Sequence, residues 1–421
     1  MRYLRSNRKE EGVNFIGLGK LGLPLSCLLA EANFKVNAYD RNPHTIESLK
    51  KGIVPFFEPN LNKLFRKVQK NFVSLNIEIN ASILLNNKTI ILVDTQDLDY
   101  GYSRSNIENV IIRIAKIFNN SKPQFHSIII SSTMTVGDID CLIDLMERES
   151  NLLRNRDFSI VYVPDFVKLG SVLEDFRNPE FVMVGAPSEK EFNIVKSIWS
   201  RFVRENTYFG HLSYSEAELG KIALNAYIVN KISFANHLGL IAKEIGNVNA
   251  NKITSLIGLD KRISSLFFKA GMPYGGTCFP RDSKAYADLG RKYGQPAIHL
   301  EFAEKINSDV LKRIYFKSKL GKSIGVLGVS FKPDSPVVID SPSLKLMKML
   351  IEDGKEVFYF DKLIDGTTPE LTPFRKCLNV KELTKYCDTI VLMHPEKSLI
   401  PEISSNIKII DPWGIIETVV P

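Results

Sequence analysis

The stretch Gly17-Leu18-Gly19-Lys20-Leu21-Gly22 fits the pattern G-x-G-x-x-G, and its surroundings decide how it is read. An apolar strand, Val13-Asn14-Phe15-Ile16, leads into it, and residues 17–32 read as a glycine turn entering a helix. A second strand spans 35–39 and is closed by Asp40. In that setting Gly17 permits a tight turn, Gly19 lets a pyrophosphate approach the backbone, and Gly22 lets helix and strand pack closely. The first turn of the helix offers unpaired N–H groups to phosphates. Asp40 is placed to accept hydrogen bonds from a ribose 2′-hydroxyl, which favours NAD over NADP, although Arg41 beside it leaves NADP open. Lys20, Leu21 and Thr95 join the expected cofactor contacts. The alternative is a plain strand–turn–helix connection with no ligand.

Working outward, apolar strands recur at 89–93, 127–131, 159–163 and 182–184 with helical stretches between most of them. That alternation predicts a parallel, doubly wound sheet. The character changes near residue 206. Residues 215–245 contain no Pro, and Leu219, Ile222, Ala223, Ala226, Val229, Ile232, Ser233 and Asn236 recur at helical spacing, which predicts one long helix. Helical sequence continues to about 318. A further strand at 324–329 opens a second α/β region. There Ser341-Pro342 reads as a helix cap, that helix ends near Gly354, and strands follow at 356–360 (closed by Asp361), 389–393 and 407–410. The expected class is α/β: two Rossmann-like parallel-sheet domains joined by a central helical domain. The expected boundaries are a tail at 1–12, an NAD-binding domain at 13–205, a helical domain at 206–318 and a nucleotide-binding domain at 319–421.

The 421 residues are 44% hydrophobic and 24% charged, which excludes disordered, collagenous and low-complexity chains. A net charge of +8 favours anionic partners. No basic and aromatic stripe points to nucleic acid, and a phosphorylated small molecule fits the same charge. Five cysteines, at 27, 141, 278, 377 and 387, lack both CxxC and metal-ligand spacing. No metal is expected, and the compartment is expected to be the reducing cytoplasm. The apolar runs are too short to span a membrane, and the charged N-terminus lacks the apolar segment of a signal peptide.

The second informative stretch is Gly275-Gly276-Thr277-Cys278-Phe279-Pro280-Arg281-Asp282. Two glycines allow a close backbone approach, and Pro280 suits the first turn of a helix that ends near Gly290. Cys278 then stands at a helix N-terminus, where the helix dipole favours a thiolate nucleophile. Asp282 falls in the same turn. The other four cysteines read as small core residues.

With both stretches in hand, the chain resembles the UDP-glucose/GDP-mannose dehydrogenase family, most closely the branch acting on UDP-glucose, from about Asn14 to about Asp411. The resemblance is carried by residues 17–24 (GLGKLGLP), Glu58-Pro59, Ser132-Thr133-Met134-Thr135-Val136-Gly137, Ala217-Glu218-Leu219-Gly220-Lys221 with Asn225, and Ser233-Phe234. It continues through Cys278 with Asp282 and Phe331-Lys332-Pro333-Asp334. It implies oxidation of a sugar-nucleotide alcohol to a carboxylate by two hydride transfers to NAD. The aldehyde is trapped on Cys278 as a thiohemiacetal, oxidised to a thioester and released by water. Lys221 and Asn225, one helical turn apart, would stabilise the oxyanion and orient water. Asp282 would act as base or position water. Thr133 would hold that water and touch the cofactor, its alternative being a helix cap.

Asp165, Phe166 and Lys168 stand on the expected substrate side. Lys332 would meet substrate phosphate or sugar, unless it is a surface-loop residue. Tyr274, Gly275 and Phe279 would line the pocket, with core packing as the alternative for the two aromatics. The resemblance further implies a homodimer through the long helix, in which Arg262 reaches the partner's site; a surface salt bridge is its alternative. The expected role is supply of an acidic sugar for surface polysaccharide.

The chain departs from the family pattern at several points. Val163-Pro164-Asp165-Phe166-Val167-Lys168-Leu169-Gly170 stands where the family has Asn-Pro-Glu-Phe followed shortly by Glu-Gly. The carboxylate is thus the shorter Asp165, and Leu169 replaces a second Glu. Ile339 stands where an Arg is usual before Ser-Pro, and Asp411-Pro412-Trp413-Gly414 replaces Asp-x-Arg-Asn. Thr277 before the cysteine favours UDP-glucose over UDP-N-acetylhexosamines, and GDP-mannose and UDP-galactose remain alternatives. A two-electron hydroxyacid dehydrogenase and a non-catalytic sugar-nucleotide sensor are the readings from other classes.

Overall fold

Strands covered on both faces are written mainly in apolar residues, and in the computed structural model two such strands, His126–Ile130 and Phe158–Tyr162, are buried throughout, their polar His126, Ser127 and Ser159 included. The structure describes residues 11–95, 102–121 and 123–416. The chain divides into two compact units, one through Ile222 and one from Ala223. The division falls within the long helix Tyr214–Ile245, in agreement with the helical spacing of its sequence.

The first unit is built on strands β1 (Glu11–Ile16), β2 (Phe34–Tyr39), β3 (Phe72–Asn76), β4 (Lys88–Ile91), β5 (His126–Ile130), β6 (Phe158–Tyr162), β7 (Phe181–Gly185) and β8 (Tyr208–Leu212). Their order in the sheet is β3-β2-β1-β4-β5-β6-β7-β8. Pairing is parallel except where β7 runs against β6. Alternation sends Val13 and Phe15 into the core on one face and Ile16 into the core on the other. The second unit carries β9 (Ser323–Leu327), β10 (Glu356–Phe360), β11 (Arg375–Lys376), β12 (Thr389–Leu392) and β13 (Lys408–Ile410), all parallel in the order β11-β10-β9-β12-β13. Each sheet reverses its strand order beside its first strand, the place where open α/β sheets bind ligands.

β3, β8 and β11 were not expected. Each is an edge strand, half-exposed or only two residues long, so none carries an apolar run. β8 extends the first sheet past the expected limit at 205, and β1 begins inside the expected tail at Glu11. Residues 1–10 of that tail lie outside the described residues. The antiparallel β6–β7 pair departs from the all-parallel expectation. Cys27, Cys377 and Cys387 are buried, as read, and burial pushes the Cys387 thiol up to about 12. Cys141 is exposed: on the helix Asp138–Ser150 the buried stripe is Ile139, Leu142, Ile143 and Met146, and Cys141 lies off it. Among the described residues no helix is long and apolar enough to cross a membrane.

Candidate active site

The three glycines after β1 are required for different reasons. Gly17 has φ +97°, and a Cβ there would stand 2.1 Å from the Leu92 carbonyl oxygen; one on Gly22 would stand 1.9 Å from the Gly17 carbonyl oxygen. Both are demanded by the chain itself. A Cβ on Gly19 would meet nothing within 4 Å, so the space over Gly19 is open to a ligand. From the end of β2, Asp40 accepts the Leu18 N–H at 2.7 Å through one oxygen and the Asn42 N–H at 2.8 Å through the other. The helix Gly22–Glu31 has Leu21 as its N-cap and no side-chain cap. The Leu23 N–H donates to the Gly19 carbonyl at 3.0 Å and Pro24 has no N–H, so in the first turn it is the Gly22 N–H that is left to a phosphate. This cradle fits a dinucleotide. Lys20 is exposed at its rim, Leu21 packs on the core behind it, and Thr95 is buried past β4. The Arg41 guanidinium donates to Asn106 Oδ1 at 2.9 Å.

The loops after β5 and β6 carry the other candidates of this unit, and each is held by buried side chains. In the first loop Ser132 Oγ bridges the N–H and carbonyl of Val93 at 2.9 and 2.7 Å, and the Met134 N–H donates to the Tyr162 hydroxyl at 3.2 Å. The Gly137 and Ile139 N–H groups donate to the two oxygens of Glu218, both at 2.8 Å. Thr133 stands between these anchors, half-buried, and Gly137 is the cap of the helix that follows, so Thr133 is not. Glu218 is fully buried, and burial, aided by Asp138 and Asp140, pushes its carboxyl up to about 7 against the two N–H bonds.

In the second loop the buried Lys221 ammonium donates to the Asp165 carbonyl oxygen at 2.6 Å and stands 5.0 Å over the Phe166 ring. Phe166 in turn meets Phe181 edge-on at 5.1 Å. The far end of the loop is held by buried Glu58, which accepts the Gly170 and Val172 N–H groups at 2.9 and 2.8 Å. Leu169 packs against the sheet core, so an apolar contact occupies the place of the family's second carboxylate. Lys168 is exposed, with its ammonium 3.5 Å from Asp175. The first unit thus joins Lys221, Asp165 and Phe166.

Glu58 and Glu218 stood in the sequence only as parts of longer motifs. Glu218 had only the weak signal of an acid between two apolar residues, Ala217 and Leu219, and Glu58, outside any helix, had none.

In the second unit Asn225 Nδ2 donates to Asp282 Oδ2. Cys278 is exposed and is the N-cap of the helix Phe279–Lys292, whose first turn holds Pro280 and the buried Asp282. The Asp282 N–H donates to the Cys278 carbonyl at 2.8 Å, and Thr277 Oγ1 is 3.5 Å from the thiol sulfur. The glycines ahead of the cysteine answer to the chain itself. A Cβ on Gly275 would stand 2.3 Å from the Asp340 carbonyl oxygen, and Gly276, at φ +83°, lies against the Phe331 ring. Tyr274 is core-packed, and its hydroxyl donates to Glu304 at 2.7 Å. Phe279 packs on the same helical core and meets Phe267 edge-on at 5.8 Å. Arg262 pairs with Asp260 at 2.6 Å with its side chain 87% exposed. Lys332 is half-buried, its ammonium 5.8 Å from the Phe331 ring.

The turn after β9 repeats the frame of the turn after β1. Gly328 has φ +90°, and Asp361 at the end of β10 accepts the Val329 N–H at 2.8 Å. Here, however, Ser330 occupies the next position and gives Asp361 both its N–H and its hydroxyl, at 3.1 and 3.0 Å. The Leu363 N–H is a fourth donor at 3.0 Å. The His394 ring lies over Gly328, with Nε2 2.9 Å from the Ser330 carbonyl oxygen. Burial pushes the Asp361 carboxyl up, but the N–H donors and His394 outweigh it and hold the group below its usual range. The helix Pro342–Glu352 is already capped by Ser341, whose hydroxyl accepts the Ser343 and Leu344 N–H groups at 3.1 and 3.4 Å.

Residues 11–203, 215–309 and 325–415 match, in order, the NAD-binding, central and UDP-binding domains of the UDP-glucose/GDP-mannose dehydrogenase family. UDP-glucose 6-dehydrogenase TuaD of Bacillus subtilis is 29% identical over 362 residues, covering 83% of this chain and 75% of that protein. A UDP-glucose 6-dehydrogenase of Rhizobium meliloti is 27% identical over 381 residues, covering 86% of each. Among solved structures, a UDP-glucose dehydrogenase from the archaeon Pyrobaculum islandicum shares the fold with a TM-score of 0.88 at 23% identity, covering 97% of this chain and 95% of that one. A UDP-D-ManNAc dehydrogenase from Pyrococcus horikoshii shares it at 0.80 and 23%, covering 96% of both. With its NAD-binding domain, fold and three domain matches in sequence order, the chain belongs to the UDP-glucose/GDP-mannose dehydrogenase family of NAD-dependent oxidoreductases.

Proposed function

We propose that the chain oxidises UDP-glucose to UDP-glucuronate in two two-electron steps through a covalent bond to Cys278. The observation that carries this reading is the exposed Cys278 thiol at the N-cap of a helix whose first turn holds the buried Asp282, itself bonded by Asn225. NAD, when bound, accepts a hydride at each oxidation. Gly17, Gly19, Lys20, Leu21, Gly22, Asp40, Arg41, Thr95 and Thr133 are the residues proposed to hold it. Asp282 takes the proton of the sugar 6-hydroxyl as it becomes an aldehyde, or holds the water that does. The Cys278 sulfur then adds to the aldehyde carbon, giving a hemithioacetal whose oxidation leaves a thioester. Lys221 stabilises the oxyanion of each addition and Asn225 orients water. Asp165, with Thr133 holding the water, is the proposed base for thioester cleavage, which restores the thiol and releases a carboxylate. With Leu169 in the core, Asp165 acts without a second carboxylate from that loop.

The division of labour proposed is NAD on 13–205, catalysis and dimerisation on 206–318, and the UDP-sugar on 319–421 through Lys332. A homodimer is supported by Tyr227, Phe234 and Ile241, which recur every seven residues on the long helix and are 64%, 58% and 44% exposed. The unbonded cysteines accord with a cytoplasmic enzyme, and an acidic sugar nucleotide with polysaccharide synthesis.

The test is NADH formed per sugar consumed across UDP-glucose, UDP-galactose, GDP-mannose and UDP-N-acetylhexosamines. Two NADH per UDP-glucose, lost in Cys278→Ala, is expected. Preference for another sugar would move the substrate and keep the chemistry. One NADH per sugar would mean that oxidation stops at the aldehyde or thioester, and binding without any NADH would favour a sensor.

A further inference from the structure

The segment leading to Cys278 lies in no strand, and six of its backbone groups are held instead by side-chain amides. Asn251 accepts the Ala270 N–H at 2.8 Å and donates to the Ala270 carbonyl at 2.9 Å. Asn236 accepts the Gly271 N–H at 2.9 Å and donates to the Met272 carbonyl at 3.0 Å. Asn307 accepts the Tyr274 N–H at 2.8 Å and donates to the Tyr274 carbonyl at 3.1 Å. The three come from three helices: Tyr214–Ile245, Ala250–Ile257 and Ile298–Ser318. Each side-chain amide mimics a peptide group and meets the backbone at both its donor and its acceptor. Pro273, the residue skipped, has no N–H to satisfy. One turn before Asn307 on its helix, Glu304 takes the Tyr274 hydroxyl, and Gly275 and Gly276 then lie against Asp340 and Phe331.

We infer that Asn236, Asn251 and Asn307 are positioning residues for the nucleophile: a ladder of amides that sets the path of residues 270–274 and so the place of the Cys278 sulfur. The inference rests on the reading of Cys278 as the nucleophile. None of the three touches the reacting atoms. Their effect passes along the backbone, so it grows toward the cysteine. Asn307 binds four residues before Cys278, Asn236 six to seven before, and Asn251 eight before. Burial runs in a different order, since Asn236 is buried at 3% exposure and the other two are half-buried. Loss of fold stability therefore ranks Asn236 first, whereas loss of positioning ranks Asn307 first.

The experiment measures kcat and KM, denaturation midpoint, hydrogen exchange of residues 270–277 and the rate of Cys278 alkylation by iodoacetamide in Asn236→Ala, Asn251→Ala and Asn307→Ala. Exposed Cys141 serves as the internal alkylation control. Expected are a fall in kcat of about ten-fold or more for Asn307→Ala, about three-fold for Asn236→Ala and less for Asn251→Ala, because small misplacements of a reacting group are costly. KM for NAD stays within about two-fold, since cofactor binding does not pass through this segment. Exchange over 270–277 rises most in Asn307→Ala, and Cys278 alkylation changes while that of Cys141 does not. Asn307→Asp, which keeps the acceptor and loses the donor, lies between wild type and alanine. Activity losses that follow the order of the midpoints, or unchanged exchange over 270–277 in Asn307→Ala, would overturn the inference. Full turnover by Cys278→Ala would instead remove the nucleophile reading, and the exchange and alkylation results would still report on the ladder.

Discussion

The turns after β1 and β9 begin alike and end differently. Both place a glycine at positive φ after the first strand, and both hand the next N–H to an aspartate at the end of the second strand. In the first turn the following residue is Gly19, with open space over it and an uncapped helix beginning three residues later. In the second the following residue is Ser330, whose hydroxyl is bound to Asp361, while His394 lies over the glycine and Ser341 caps the helix. The sheet topology offers a ligand crevice in both units. Whether a pyrophosphate can rest on backbone N–H groups there is decided by a handful of side chains in the turn.

The strongest way to break this comparison is Asp361→Ala, which strands four donors in the closed turn. A loss of about 3–5 kcal/mol in a urea titration is expected, since unsatisfied buried donors cost about 1–3 kcal/mol each and do not add fully. A loss under about 1 kcal/mol would mean that the closed turn is not held by its aspartate. The next effect separates this carboxylate from Glu218, whose shift has the opposite sign. Asp361 is held low, so its contribution is present above its usual value near 3.8 and is lost as the pH falls below that. Glu218 is raised from 4.5 to about 7, so the folded state prefers it protonated, and stability falls as the pH rises through that window. Between pH 4.5 and 7.5 wild type should lose up to about 3 kcal/mol more than Glu218→Gln, and parallel profiles would refute this.

Gly19→Ser imports the residue of the closed turn into the open one. NAD affinity, read by fluorescence titration, should fall about thirty-fold, or ~2 kcal/mol, with the denaturation midpoint unchanged, because a Cβ there touches no part of the chain. Unaltered affinity would place the pyrophosphate elsewhere. Ser341→Ala should cost the second unit about 1 kcal/mol through its lost cap.

Much of this architecture was legible because local rules and global fold agree. The glycine turn, the long proline-free helix and the Ser341 cap each declare themselves within a few residues. The edge strands β3, β8 and β11 do not, since half-exposed strands carry no apolar run. Glu58 and Glu218 act on backbone N–H groups 79 to 114 residues away, a distance over which spacing says nothing. Gly275 and Gly276 signal a close approach, but a missing Cβ does not say to what, and the neighbours proved to be Asp340 and Phe331. Cys141 fell on the wrong side of its helix because one residue shifts the facing direction by about 100°.

The amide ladder over residues 270–274 has an evolutionary consequence. Asn236, Asn251 and Asn307 hold peptide groups rather than side chains, so the holding contacts do not depend on which side chains residues 270–274 carry; Gly271 is fixed for a separate reason, since a Cβ there would stand 2.2 Å from the Trp413 ring. The contacts do depend on length. One inserted residue would move every later peptide group by about 3.3 Å, beyond the reach of its amide. The ladder therefore acts as a ruler for the chain ahead of the cysteine, indifferent to the side chains it spans and intolerant of insertion or deletion.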